Sequence, residues 1–272
     1  MAFLDDLFGL KGKTALVTGG ATGIGRMGAE ALVMAGARVL IASRKGDACE
    51  AVAAELNGLG GPGRAEGFAG DVGTEAGVVA LADAVRARTD RLDILWNNAG
   101  KTWGEPLERF PFKAWDGVMS VNVAGLFTLT RELLPLLDKA ASADDPARVV
   151  NVGSVMGTQP VGAGAYSYAA SKAAVHHLTK ILAIELAHRQ ITVNAIAPGP
   201  FMSRMTAFAL SSEEGKARAE QDSPLGRIGR PSDIMGCLLF LCGRGGAYTT
   251  GAILPVDGGI GVDSGHKLFG GE

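Results

Sequence analysis

A tyrosine and a lysine four residues apart, Tyr168 and Lys172, are the side chains whose types and spacing best suit acid–base chemistry. On a helix, residues four apart lie one above the other on the same face. A phenol titrates near pH ~10, and a neighbouring ammonium group favours the phenolate and so lowers the pKa of the phenol. Such a phenol can exchange a proton with an oxygen that is being reduced or oxidised. An exposed Tyr–Lys pair on an amphipathic helix would show the same spacing.

Neighbouring side chains are weaker candidates for this acid–base role. Tyr166 is the nearest other phenol, but the residue four positions later is Ala170, so the phenol lacks an ammonium partner. His176 and His177 follow one turn or more after the lysine. We predict that these histidines are packing or interface residues rather than ligands.

Composition limits the class of protein. A chain of 272 residues, 47% hydrophobic and 20% charged, suits one α/β domain or two small ones, and we expect a single domain over residues 1–272. A net charge of -2 gives no reason to expect nucleic acid or an anionic membrane as partner. Without a signal peptide or a run of ~18 apolar residues, the sequence predicts a cytoplasmic protein.

The cysteines are few and scattered, at Cys49, Cys237 and Cys242. That spacing fits neither a disulfide framework nor a metal knuckle. The latter two flank an apolar run and are predicted to be buried core residues. No metal is expected.

The elements that must position the tyrosine and lysine begin with a buried strand predicted at residues 14–18. A glycine-rich turn and a helix follow it. Backbone N–H groups and the helix dipole at such a corner attract a phosphate, and glycines let the backbone approach it closely. The sequence therefore predicts a dinucleotide site, whose residues here are Gly19, Thr22, Gly23, Ile24 and Gly25.

The second strand, predicted at residues 37–42, ends at Ser43, Arg44 and Lys45. In this architecture an acidic residue at that place binds the ribose 2′-hydroxyl of NAD, and an arginine accommodates the 2′-phosphate of NADP. Two cationic side chains, Arg44 and Lys45, and no acidic one follow this strand. The sequence favours NADP(H), although a solvated basic turn would look the same.

Further strands are predicted at residues 65–69, 92–96, 148–152, 191–197 and 252–256. Asp71 and Val72 follow the first of these, and the carboxylate is placed either to accept from the adenine amino group or to cap the helix near Thr74. Asn98, Ala99 and Gly100 follow the next and would border the cofactor. The alternation predicts an α/β Rossmann fold: a doubly wound, seven-stranded parallel sheet with helices on both faces.

With these motifs in order, the chain resembles the single-domain short-chain dehydrogenase/reductase family. The matching elements are Thr18-Gly-x-x-x-Gly-x-Gly25, Asn97-Asn-Ala-Gly100, Asn122, Ser154, Tyr168-x-x-x-Lys172 and Pro198-Gly199. The resemblance covers residues 12–259. Within the family the chain is most similar to NADPH-dependent 3-oxoacyl (β-ketoacyl) reductases, including the type associated with rhamnolipid synthesis.

The resemblance implies a role for each catalytic residue. Tyr168 would be the general acid in reduction and the base in oxidation. Ser154 would bond and position the substrate carbonyl, and Lys172 would lower the tyrosine pKa and bond the nicotinamide ribose. Asn122 would hold a water that links the lysine to solvent, or satisfy a break in the long helix that begins near Phe112.

The resemblance also places a loop over the nicotinamide, formed by Pro198, Gly199, Phe201 and Ser203. Residues 199–223 would follow as a substrate loop, either a mobile lid over an apolar substrate or a surface helix. The candidate substrate contacts are Trp103, Ser154, Met156, Met205 and Phe208. The tail at 261–272 is an interface arm or a frayed end.

Three functions follow from these features. The first is an NADPH-dependent reductase of a 3-oxoacyl-type or other hydrophobic ketone, with an acyl thioester among the candidate substrates. The second is a secondary-alcohol dehydrogenase working in the oxidative direction, and the third is an NADP(H)-binding sensor without turnover. The sequence retains Asn122, Ser154, Tyr168 and Lys172, and these four residues argue against the sensor. The resemblance implies a homotetramer or homodimer, with the long helices and the last strand at the contacts.

Overall fold

The structure, a computed structural model, describes residues 2–161 and 164–263 of the chain. The backbone of Ala2 and Phe208 belongs to this part, but their side chains do not. Most of the predicted tail at 261–272 lies outside the described residues.

Seven strands form one parallel sheet with the order β3-β2-β1-β4-β5-β6-β7. The strands are β1 (Thr14–Thr18), β2 (Arg38–Ser43), β3 (Arg64–Ala69), β4 (Ile94–Asn97), β5 (Ala147–Val152), β6 (Ile191–Pro198) and β7 (Ile253–Val256). This confirms the predicted doubly wound, seven-stranded sheet, with strand boundaries that differ from the prediction by at most two residues.

The helices lie between and after the strands. They are α1 (Ala2–Phe8), α2 (Gly23–Met34), α3 (Gly46–Gly58), α4 (Glu75–Arg86), α5 (Phe112–Met119), α6 (Leu126–Ala140), α7 (Tyr166–Leu186), α8 (Ala207–Leu210), α9 (Glu213–Gln221) and α10 (Pro231–Cys242). A π-helical segment, Ser120–Gly125, joins α5 to α6. Short 3₁₀ turns occur at Leu107–Arg109, Val155–Gly157, Ala187–Arg189, Arg244–Gly246 and Ile260–Val262.

Two apolar clusters cover the two faces of the sheet. One contains buried side chains of α2, α3 and α10, and the other contains those of α4, α6 and α7. Because both faces are covered, the inner strands are buried along their whole length, as β5 and β6 are. Continuous apolar runs of this kind are typical of parallel sheets.

The strand order reverses its direction between β1 and β4, which are neighbours in the sheet. In an open parallel sheet, a crevice forms outside the carboxyl ends of the strands at such a switch point, and ligands bind there. The glycine-rich turn follows β1 and the Asn98–Gly100 loop follows β4. The fold therefore brings the two predicted cofactor loops together.

Within the described ranges, 2–161 and 164–263, no helix is both long and apolar enough to cross a membrane. The same residues contain no group of three or more His, Cys, Asp or Glu side chains that could hold a metal ion. The three cysteines are free; Cys49 and Cys242 are buried, whereas Cys237 is only partly buried.

Candidate active site

Tyr168 and Lys172 lie in the first two turns of α7, as their spacing predicts. The Lys172 Nζ atom is 5.5 Å from the centre of the Tyr168 ring. It donates a hydrogen bond of 2.6 Å to the carbonyl oxygen of Val152 at the end of β5. Lys172 is 4% exposed, so its ammonium group is fixed between the helix and the sheet.

The direction of the tyrosine pKa differs from the prediction. Desolvation raises the pKa of the Tyr168 phenol above its ordinary value, and a side-chain hydrogen bond with Ser154 opposes the shift only in part. Desolvation also lowers the pKa of Lys172 to about 8. In the protein without cofactor, burial therefore outweighs any lowering of the tyrosine pKa by the ammonium group, which is bonded to Val152.

Ser154 is buried and extended, two residues beyond β5, and caps the 3₁₀ turn Val155–Gly157. Its Oγ accepts a hydrogen bond of 3.2 Å from the backbone N–H of Met156. The hydroxyl proton therefore remains available to donate. The Ser154 side chain lowers the pKa of the Tyr168 phenol, which indicates that the two predicted catalytic hydroxyls are neighbours.

Asn122 lies in the π-helical segment and is 1% exposed. Its side chain accepts from the backbone N–H of Lys101 at 2.7 Å and donates to the carbonyl of the same residue at 2.9 Å. It also donates to Ser171 Oγ, at 2.9 Å. The amide thus ties the irregular helix to the loop after β4, rather than satisfying backbone groups within the helix itself.

Gly100 lies where the asparagine and the lysine meet. A Cβ atom added there would be 3.6 Å from Asn122 Oδ1 and 3.8 Å from Lys172 Nζ. All four predicted catalytic residues, Asn122, Ser154, Tyr168 and Lys172, therefore lie around one corner at the carboxyl edge of the sheet. We call these four side chains the catalytic corner.

The glycine-rich turn packs too closely against its neighbours to carry side chains at its glycines. Gly19 and Gly23 have φ values of +66° and +54°, which L side chains rarely adopt. A Cβ atom on Gly25 would lie 2.4 Å from both the Gly19 carbonyl oxygen and Asn98 Nδ2. Asn98 in turn donates to the Thr18 carbonyl at 2.9 Å. The turn and the start of α2, with Thr22 and Ile24, fit a dinucleotide's pyrophosphate.

The end of β2 presents the predicted cations. Arg44 and Lys45 are exposed, and Lys45 immediately precedes α3. Ser43 Oγ accepts from the Lys45 backbone N–H at 3.3 Å and is 3.0 Å from Cys49 Sγ. Two exposed cations at a helix N-terminus fit a phosphate group on the adenosine ribose.

Asp71 does not cap α4. Thr74 is the capping residue, since its side chain accepts from the Gly77 backbone N–H at 3.1 Å. Asp71 instead accepts from the Gly73 N–H at 2.9 Å and stabilises the turn that contains Val72. Its predicted contact with adenine stays a prediction.

The loop after β6 passes beside the glycine-rich turn. Gly199 donates to the carbonyl of Val256 at 3.0 Å, which fixes the start of the loop after Pro198. Ser203 Cβ would lie 2.9 Å from a Cβ atom on Gly23. Ser203 is therefore next to the predicted phosphate site.

The predicted lid carries five apolar side chains, which do not share one environment: Phe201, Met202, Met205, Phe208 and Leu210. Phe201 is 2% exposed in the core, and Leu210 is also buried, so these two anchor the loop rather than face a substrate. Met202 is exposed and Met205 partly buried. The side chain of Phe208 lies outside the described part of the structure.

The remaining predicted substrate contacts, Trp103 and Met156, are partly buried. The Trp103 indole N–H is buried and has no hydrogen-bond partner among the described residues. Tyr166, the alternative phenol, packs edge-on against Phe110 with ring centres 5.2 Å apart. The Tyr166 ring therefore has a packing role.

Sequence reasoning missed two members of the site. Lys101 supplies the backbone groups that hold Asn122, and no feature of the sequence pointed to them because backbone partners carry no side-chain signature. His176 is buried as predicted for a packing residue, but it also accepts a hydrogen bond of 3.4 Å from the Ser154 backbone N–H. Its position four residues after Lys172 on one helix face was the available signal.

Comparison with known proteins places this geometry in context. Residues 19–261 match the family model described as "Enoyl-(Acyl carrier protein) reductase". The chain is 45% identical over 253 residues to the rhamnolipids biosynthesis 3-oxoacyl-[acyl-carrier-protein] reductase of Pseudomonas aeruginosa, covering 93% of this chain and 98% of that protein. It is 37% identical to the 3-oxoacyl-[acyl-carrier-protein] reductase FabG of Aquifex aeolicus, covering 92% and 98%.

The structure is likewise similar to the Pseudomonas aeruginosa RhlG/NADP active-site complex. The TM-score is 0.91 at 44% sequence identity, and the match covers 94% of this chain and 99% of that one.

Proposed function

The chain belongs to the short-chain dehydrogenase/reductase family, and on that premise we propose that it reduces a 3-oxoacyl-type or other hydrophobic ketone. It is an NADP-dependent oxidoreductase of the C=O/CH–OH class. The observation that carries the proposal is the meeting of Ser154 and Tyr168 hydroxyls, with Lys172 behind them, beside the glycine-rich turn. A protein that only binds the cofactor needs no such arrangement.

In the proposed reaction, NADPH supplies the hydride that the carbonyl carbon receives. Tyr168 donates its proton to the carbonyl oxygen as general acid. The raised pKa of the phenol keeps it protonated at neutral pH, as a donor requires. Ser154 donates a hydrogen bond to the same oxygen and holds it in place while Tyr168 transfers the proton.

Lys172 and Asn122 would support this transfer. With a pKa lowered to about 8, the Lys172 ammonium remains mainly protonated at neutral pH while releasing its proton more easily than an exposed lysine. We propose that it bonds the nicotinamide ribose and that Asn122 holds a water linking it to solvent. The proximity of both residues to Gly100 supports this relay.

The proposed cofactor contacts follow the edge of the sheet from β1 to β6. They are Gly19, Thr22, Gly23, Ile24, Gly25, Ser43, Arg44, Lys45, Asp71, Val72, Asn98, Ala99, Gly100, Tyr168, Lys172, Pro198, Gly199, Phe201 and Ser203. For Phe201 only the backbone is available, because its ring is buried.

An acyl thioester is the proposed substrate class, since two relatives are named as reductases of 3-oxoacyl groups on acyl carrier protein. Ser154, Met156, Trp103, Met205 and Phe208 are the proposed contacts. Oxidation of a secondary alcohol remains the second candidate function, because the same residues serve both directions of one reversible step.

A homotetramer or homodimer is the proposed assembly. Phe112 on α5 and Ile184 on α7 are 80% and 83% exposed, so the long helices present apolar side chains at the surface. Sedimentation analysis would distinguish monomer, dimer and tetramer.

The test of the proposed function is loss of absorbance at 340 nm with NADPH, and separately with NADH, across a ketone panel. The panel pairs a 3-oxoacyl thioester with simple aryl and alicyclic ketones. Turnover of the thioester with NADPH supports the proposal. Turnover of the free ketones alone would indicate a carbonyl reductase of broad specificity. NADPH binding with no turnover of any ketone or alcohol would favour the sensor.

A further inference from the structure

His176 lies one turn after Lys172, on the face of α7 that packs against the end of β5. It is 7% exposed. Its Nε2 atom accepts the backbone N–H of Ser154 at 3.4 Å, and no step of the proposed reaction uses the imidazole. The contact is with the main chain of the very residue whose hydroxyl would hold the substrate carbonyl.

Two glycines shape the chain around this imidazole. A Cβ atom on Gly153 would lie 2.2 Å from His176 Nε2, and one on Gly157 would lie 2.7 Å from its Cε1. Real Cβ atoms essentially never come so close. The turn that carries Ser154 therefore closes over the ring on both sides, and the ring fills the inside of the turn.

The contact is the third of a series between α7 and β5. Thr179 Oγ1 accepts from Asn151 Nδ2 at 2.9 Å, and Lys172 Nζ donates to the Val152 carbonyl at 2.6 Å. His176 then accepts from Ser154, at the point where the chain has left the strand. One helix face thus holds the last two strand residues and the main chain of the serine.

Acceptance by Nε2 requires a neutral ring with its proton on Nδ1. Desolvation, together with the charges of Lys172 and Lys180, lowers the pKa of His176 to about 4. The acceptor is therefore present throughout the neutral range.

We propose that His176 is a positioning residue that holds the main chain of Ser154, and through it the serine hydroxyl, in the geometry that the carbonyl requires. The inference rests on the proposed role of Ser154 in the reduction. It goes beyond packing, because an apolar side chain of equal size would fill the turn but leave the Ser154 N–H without an acceptor.

The test compares three substitutions at one position. Leucine fills space without an acceptor, asparagine carries an acceptor that is too short, and glutamine places its amide oxygen near the site of Nε2. We expect His176→Leu to lower kcat by about 10–100-fold, the range that loss of one well-placed group costs, with the Kd of NADPH unchanged. His176→Gln should recover most of the loss and exceed His176→Asn. His177→Leu, exposed on the same helix, is the control and should behave as wild type.

Two further measurements separate positioning from general destabilisation. In the Ser154→Ala background, His176→Leu should cause no further loss of kcat, because the residue acts only through the serine. Amide hydrogen exchange of residues 153–157 should quicken in His176→Leu and not in His176→Gln. This second readout needs no turnover, and the glutamine–asparagine pair remains informative if the leucine variant does not fold.

Each contrary result overturns a different statement. Full activity of Ser154→Ala would remove the proposed role of the serine, while an inactive Ser154→Ala beside a fully active His176→Leu would overturn the positioning role alone. Losses that multiply in the double variant, or unchanged exchange in His176→Leu, would also contradict the proposal.

Discussion

The catalytic corner and the substrate loop at 199–223 lie at the same edge of the sheet but are held in different ways. Ser154, Lys172 and Asn122 are each at most 6% exposed, and their polar atoms bond the ends of β5, the π-helical segment and the loop after β4. The substrate loop has a 4-residue helix and then α9, in which no residue is buried.

The loop is nevertheless attached at both ends, and at its far end the Ser223 hydroxyl donates to the Gly258 carbonyl at 3.4 Å. Phe201 packs in the core and pairs with Gly229, and the Thr206 hydroxyl donates to the Phe201 carbonyl at 2.6 Å. Between Phe201 and Thr206, the apolar side chain of Met202 is exposed to solvent. We infer that the corner fixes the chemistry, whereas the loop selects the substrate.

The largest effect is expected at the phenol. Tyr168→Phe removes the proposed proton donor and should lower kcat by about 10²–10⁴-fold for every ketone that is reduced, the usual contribution of a general acid. The Kd of NADPH, from its fluorescence, should stay within about threefold. Tyr166→Phe is the matched control, because that ring packs against Phe110 without its hydroxyl. Near-full activity of Tyr168→Phe would show that the donor is misassigned.

Arg44 lies in neither the catalytic corner nor the substrate loop, so its replacement should change cofactor binding alone. Arg44→Asp is expected to weaken NADPH by about 10–100-fold, since a charge-assisted contact with the 2′-phosphate is lost and a repulsion is added. NADH should be weakened far less. Titration of both cofactors measures the ratio, and Lys139→Asp, on the distant helix α6, serves as a charge control. An equal loss for NADPH and NADH would assign the phosphate to another residue.

A change in the substrate loop should act selectively. Met205→Ala is expected to raise KM for a long-chain 3-oxoacyl thioester by about 3–10-fold, the value of a partly buried apolar side chain. The kcat of this variant, and its KM for a small ketone, should equal those of wild type. Met202→Ala, at a more exposed position, is the comparison. A fall in kcat for all substrates would instead make Met205 part of the catalytic corner.

The smallest expected effect is a change of the free energy of unfolding with pH, caused by the buried ammonium group of Lys172. Burial lowers the pKa of Lys172 to about 8, whereas the unfolded chain has the ordinary value of 10.5. Between these values the unfolded state binds more protons, so raising the pH increases the free energy of unfolding. From about pH 8 to about 9.5, wild type should gain on the order of 1 kcal/mol relative to Lys172→Met.

Urea denaturation of the cofactor-free protein at several pH values measures this difference. Tyr168 is present in both chains, so its own titration cancels. Lys180→Met removes an exposed lysine of the same helix and keeps Lys172, so its stability should change with pH in parallel with that of wild type. Parallel pH profiles for wild type and Lys172→Met would mean that the ammonium is not held in a desolvated site.

The sequence by itself determined the fold class and the membership of the catalytic corner. Apolar runs and glycine turns predict a parallel sheet, because strands buried on both faces have few other residues to use. The spacing of Tyr168 and Lys172 fixes a shared helix face in any fold. The glycine pattern after β1 predicts the phosphate cradle, since few side chains would fit there.

Tertiary structure alone decided the environment of each group. The raised pKa of Tyr168 and the bond from Lys172 to Val152 depend on burial and on a strand 20 residues earlier in the chain. The Lys101 backbone that holds Asn122, the burial of Phe201 and the contact of His176 with Ser154 are equally non-local. Local spacing specifies which side chains share a face, but only the packing of elements distant in sequence sets desolvation and partners, and these determine the charge state and the orientation of each group.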